Sequence, residues 1–215
     1  MRSIILCLAA LLTLGLTSGY AAQTKAGDQV TITQAVNEDL YLAAERISIS
    51  AVVTGDVVAT GGKVRITDSV IGDVLVAGGD VNLESYVTDD IRAFGGTVNI
   101  RGSAGGDLLI FGGKVIVDSD VEVQGDVIVF GGDLELNGKV HGSLRCYGGT
   151  IHLDGTVVEG AQVKGGELFL NGRIEGPSTL VAESIELGSD ANFSGEVSYW
   201  RPAGEMDFGS AASMG

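Results

Sequence analysis

An aspartate returns at nearly constant spacing through the chain: Asp39, Asp56, Asp73, Asp90, Asp107 and Asp126, 17 residues apart until a last step of 19. If the repeat is a coil, these carboxylates stack a few ångströms apart, and like charges so close repel unless something positive compensates them. Two compensations fit. Calcium, which prefers hard oxygen ligands, would make Asp56, Asp73, Asp90, Asp107 and Asp126 a cation-binding edge. Alternatively, backbone N–H groups at a turn would take up the oxygens, and the column would be structural. The nonapeptide glycine–aspartate calcium repeat is not the pattern here, because the period is 17.

Other reactive types are sparse. His141 and His152 are the two histidines, they fall in different parts of adjacent repeats, and no Cys/His metal spacing accompanies them. Neither a Gly-x-Ser-x-Gly elbow nor a phosphate-binding P-loop occurs. Acidic pairs suited to glycoside cleavage would need a groove built by long loops, and the repeats are too uniform to supply one. The expectation is a protein that is not an enzyme and has no catalytic residues.

The elements that carry these residues follow from glycine. Gly61-Gly62, Gly78-Gly79, Gly95-Gly96, Gly112-Gly113, Gly131-Gly132, Gly148-Gly149 and Gly165-Gly166 step by 17 residues, with one step of 19. A fixed period of this size marks a repeat architecture. In rows of 17, the third and fifth residues after the first glycine are apolar, as in Val64/Ile66, Val81/Leu83 and Val98/Ile100, with a mostly polar residue between. That is period-two alternation, the sign of a strand with one buried face. A second apolar column holds Val53, Val70, Val87, Ala104, Val121, Val140, Val157, Ile174 and Ala191. A third pair of columns precedes the next glycines, as in Val74/Val76 and Leu108/Ile110. Each row therefore carries three short strands. The glycine pairs mark one corner, and Asn137-Gly138, Asp154-Gly155 and Asn171-Gly172 mark another, where positive φ is expected. The two extra residues of the long row fall within Val121–Val123 and preserve the in/out parity.

Three strands per 17 residues describe an all-β, three-sided parallel β-helix, a solenoid of about ten turns. At the usual spacing of stacked strands it would be a rod about 48 Å long.

The N-terminus reads as a secretory signal over residues 1–22: Arg2, an apolar stretch from Ile4 to Leu16 too short to span a membrane, then small residues through Ala22. Residues 23–202 form the β-helix and 203–215 a C-terminal tail. Without residues 1–22 the chain has 12 basic against 28 acidic residues, a net charge of −16. Nucleic acid is then a poor partner, since binding it requires neutralising phosphates. No segment after the signal has the length and apolarity of a transmembrane helix. Cys146, alone after the signal, falls on an inward column and forms no internal disulfide.

One outward face is unusually apolar. One column holds Val58, Leu75, Leu109 and Ile128, and the next holds Phe94, Phe111, Phe130 and Tyr147. Contiguous exposed apolar surface marks contact sites. This face is a candidate for meeting another rod, another envelope component, or the chain's own tail. The rod ends are candidates too, because an uncovered end offers unpaired backbone, and head-to-tail contact without closure makes filaments.

The repeated segments GDVVATGGKVRI, GDVLVAGGDVNL and GDLLIFGGKVIV resemble bactofilins, the bacterial polymer-forming cytoskeletal proteins. The closing VAESIELGSDANFSGEVSYWRP is similar to the end of a bactofilin-like β-helix. The resemblance covers about residues 27–202. It implies a right-handed β-helix, no catalysis, no nucleotide, and end-to-end filaments. The export signal departs from the cytoplasmic bactofilins. The reading is an exported structural or scaffolding element in the periplasm, outside the cell or in the envelope of a bacterium, with itself or another envelope component as partner. The competing reading is a cell-surface or periplasmic binding module that holds calcium or carbohydrate along one face.

Overall fold

The computed structural model describes residues 22–211. The signal expected over residues 1–22 lies outside them, except for Ala22, which begins the first strand.

Eleven strands pair in parallel and in chain order, one rung above the next: Ala22–Ile32, Asp39–Ile49, Val57–Ile66, Val74–Leu83, Ile91–Ile100, Leu108–Val117, Val127–Leu136, Ser143–Leu153, Gly160–Leu170, Ser178–Val181 and Val197–Trp200. The solenoid thus has eleven rungs, one more than the ten read from the rows. Most of these strands run straight through the glycine pair. The pair is still a corner, because inward parity switches across it: Val57 and Ala59 are buried before Gly61-Gly62, and Val64 and Ile66 after it. Here the chain bends without leaving the ladder. Glycine is needed because the rungs approach closely. A Cβ on Gly131 would lie 2.5 Å from the Gly112 carbonyl oxygen and 2.6 Å from Leu134 Cδ2.

The third side is narrower. Single bridges join Val36, Val53, Val70, Val87, Ala104 and Val123. Two-residue strands continue the stack through Val140, Val157 and Ile174 to Phe193. This register corrects the columns read from the sequence. Val123, not Val121, stacks on Ala104, and Phe193, not Ala191, stacks on Ile174. The extra residues form tight turns instead, closed by Val121 N–H to Asp118 O (3.2 Å) and Ala191 N–H to Gly188 O (3.3 Å). There are therefore two 19-residue rungs. Val121 and Ala191 stay buried, so each two-residue insertion keeps its parity.

Positive φ is also distributed differently from expectation. Gly138, Gly155 and Gly172 do not adopt it, whereas Gly55 (153°) and Gly72 (150°), just before the aspartate column, do. Glycine at Asn137-Gly138 is required by crowding, since a Cβ there would sit 2.7 Å from the Val121 carbonyl oxygen.

Inside runs one continuous column of Val, Ile, Leu and Ala, most at zero to a few per cent exposure. Each fully buried Val, Leu or Ile contributes about 1.5–3 kcal/mol of transfer free energy. No rung closes this core alone, so stability comes from stacking. The first long rung leaves an apolar cavity of about 20 Å³ among Val121, Val123, Gly138, Val140 and their neighbours.

Candidate functional site

The aspartate column lies at the corner that opens each main strand. Asp39 Oδ1 accepts the N–H of Asp56 (3.0 Å), Asp56 that of Asp73 (2.9 Å), and Asp73 that of Asp90 (2.9 Å). Asp90 accepts from Asp107 (2.8 Å), Asp107 from Asp126 (2.8 Å), and Asp126 from Ser143 (2.8 Å). One carboxylate oxygen per rung thus satisfies the backbone donor of the rung above, where the turn interrupts the ladder. A glycine precedes Asp56, Asp73, Asp107 and Asp126 and makes room for this, since a Cβ on Gly72 would lie 2.7 Å from Asp56 Oδ1. Arg92 adds positive charge, with Nη1 3.3 Å from Asp73 Oδ2 and Nη2 2.6 Å from Asp90 Oδ2. Of the two compensations open in the sequence, backbone amides account for the Oδ1 atoms. Among the described residues, no group of three or more His, Cys, Asp or Glu side chains is placed to hold a metal ion.

Four residues along each rung from this column, the apolar face forms as a stack of rings. Phe94 and Phe111 lie 5.4 Å apart between centroids, Phe111 and Phe130 4.6 Å, and Phe130 and Tyr147 4.9 Å, all within 10° of parallel. Strand register places them directly above one another. Their faces are used on each other, so the outward surface is ring edges. Tyr147 ends the stack and donates its hydroxyl to Gln162 Oε1 (2.8 Å). The neighbouring column holds Leu75, Leu109 and Ile128, but register inserts Arg92 between Leu75 and Leu109 and Arg145 after Ile128. The stripe is therefore less purely apolar than the selected residues suggested. Leu75 and Phe111 are its most exposed apolar members, at 40% and 39%.

Among the described residues, the tail does not cover this stripe. Residues 203–211 fold over the C-terminal end of the rod. Phe208 meets Phe193 edge-on (5.8 Å) and Tyr199 at 5.3 Å. The Met206 N–H donates to the Tyr199 hydroxyl (2.9 Å), and Arg201 donates to the carbonyls of Gly204 and Glu205. Trp200 stays 59% exposed at the head of the aromatic column, two rungs beyond Lys164. At the opposite end, Ala22–Ile32 pairs with Asp39–Ile49 alone among the described residues.

The remaining candidates are ordinary surface and core groups. His141 Nε2 lies 3.3 Å from Glu122 Oε2, and His152 stacks on Phe169 at 4.6 Å. Cys146 is buried, and desolvation pushes its thiol up to about 12. No helix among the described residues is long and apolar enough to cross a membrane.

No curated protein and no solved structure matches the chain significantly. A family model does: residues 115–210 match Bactofilin, described as polymer-forming cytoskeletal. The matched stretch runs from the middle rungs through the capped end, and over it this parallel β-solenoid is similar to Bactofilin.

Proposed function

We propose that this chain is an exported, non-enzymatic scaffold that assembles end to end through its rod ends. The observation that carries this reading is the match of a uniform parallel solenoid to a polymer-forming family. The Ala22–Ile32 edge, which has no further strand beside it among the described residues, supports it, since an edge strand is a ready template for another chain. Charge favours ends over sides. The formal net charge is −15, and lateral pairing through the apolar face would bring two aspartate columns together. Export rests on the N-terminal signal pattern: Arg2, the apolar Ile4–Leu16, and small residues to Ala22.

Negative-stain microscopy of protein beginning at Gln23 tests assembly. Filaments one rod wide are expected, and discrete short rods at all concentrations overturn the reading. Intact mass of the protein made in a bacterium tests export separately. A product trimmed near Ala21 or Ala22 and recovered outside the cytoplasm is expected, and a full-length cytoplasmic product removes the export claim.

A further inference from the structure

Two Asn-Gly pairs occupy the same corner of the solenoid two rungs apart, Asn137-Gly138 and Asn171-Gly172, with Asp154-Gly155 between them. Their backbone environments differ. Gly155 N–H donates to Leu136 O (3.0 Å), and Gly172 N–H donates to Leu153 O (3.0 Å). Gly138 N–H has no hydrogen-bond partner among the described residues. Gly138 sits above the Asp118–Val121 turn of the insertion, and the carbonyl in the equivalent position, Val117 O, accepts only the N–H of Asn137 (3.0 Å). The side chains differ too: Asn171 Oδ1 accepts the N–H of Asp190 (3.0 Å), and the Asn137 side chain has no such bond. Gly138 also lines the apolar cavity of about 20 Å³ at the long rung.

We infer that Asn137 is a site of spontaneous modification, deamidation through a succinimide, and that Asn171 is protected from it. The Gly138 amide nitrogen attacks Asn137 Cγ. A bond forms between them, the Cγ–Nδ2 bond breaks, and ammonia leaves with the proton that the amide gives up. Water then opens the five-membered ring at either carbonyl, giving aspartate or isoaspartate. Nothing is oxidised or reduced, and water is the co-reactant. A free amide and a free side chain can reach the ring geometry. At Asn171 both are held, and each bond must first break. A hydrogen bond of ordinary net strength slows such a step by about tenfold. The isoaspartate product lengthens the backbone by one atom at the corner of the first long rung, and either product adds a negative charge beside Lys139.

Peptide mapping by mass spectrometry, after incubation of the folded protein at neutral pH and physiological temperature, tests this. The peptide holding Asn137 should gain about 1 Da at least tenfold faster than the peptide holding Asn171. In strong denaturant the two rates should converge, because both are Asn-Gly. Equal rates in the folded protein, or faster loss at Asn171, overturn the inference. Asn137→Gln provides the control and should abolish the change at this peptide without altering the circular dichroism of the rod.

Discussion

Asp107 accepts the backbone N–H of Asp126 through Oδ1 at 2.8 Å, and the same relation repeats up the corner from Asp39 to Ser143. The carboxylate of one rung thus replaces the carbonyl that the turn removes. Asp107→Ala leaves the exposed Asp126 N–H without its protein acceptor and should lower the unfolding free energy by about 0.5–1.5 kcal/mol. Asp107→Asn keeps an oxygen in place and also relieves repulsion from Asp90 and Asp126, so its loss should be about half of that or less. Urea denaturation with and without calcium measures both. If Asp107→Asn loses stability only when calcium is present, the column is a cation edge and not a capping ladder.

Much of this was legible in the sequence, and the reasons are specific. The glycine pairs gave the period because rung-to-rung contact excludes a Cβ at Gly131. The buried columns followed from it, down to Cys146 at zero exposure. The two long rungs were harder. Val121 and Ala191 are apolar and buried, so a simple count of residues placed them in the columns that Val123 and Phe193 occupy. Pattern alone could not separate a buried turn residue from a buried strand residue. The cap was equally hidden, since Met206 and Phe208 lie in a short tail without periodicity. The Asn-Gly corners suggested positive φ from composition, but their glycines answer to crowding.

The stacked rings make a second prediction. Phe111 lies between Phe94 and Phe130, and each parallel contact is worth about 0.5–1.5 kcal/mol beyond area burial. Phe111→Ser should therefore cost about 1–3 kcal/mol in thermal or chemical unfolding. If assembly runs through the ends, filaments of this variant and of Phe130→Ser should persist under conditions where the rod is folded. Filaments lost from a folded rod would move the assembly contact to this face.

Burial of Cys146 sets an alkaline limit. Its thiol titrates near 12 in the folded rod against an ordinary value of 9.0, and desolvation of the thiolate is the cause. The folded state holds its proton more tightly than the unfolded state. Stability from this group is therefore complete below pH 9 and falls as pH rises through 12, by about 1.4 kcal/mol per pH unit over that window. Cys146→Ala should flatten the alkaline limb of the stability curve, although it is less stable at neutral pH because of the lost packing. A thiol reagent should modify Cys146 only as fast as the rod unfolds.

The two ends of the rod differ, and this bears most directly on assembly. At the C-terminal end, Phe208 covers Phe193 and Tyr199, and Arg201 holds the tail through the carbonyls of Gly204 and Glu205. At the other end, the outer edge of Ala22–Ile32 has no strand beside it among the described residues. Growth in one direction from uncovered edges alone is impossible, because every joint would need two open ends. Either the cap forms part of the joint or it moves aside. Phe208→Ser weakens the cap without touching a rung. If the cap is part of the joint, filaments should shorten or vanish while the circular dichroism of the rod stays unchanged. If the cap is a stopper, filaments should lengthen and nucleate at lower protein concentration. Filament length distributions and sedimentation of the two proteins at matched concentration decide between these, and an unchanged distribution would show that the Phe208 contacts take no part in the joint.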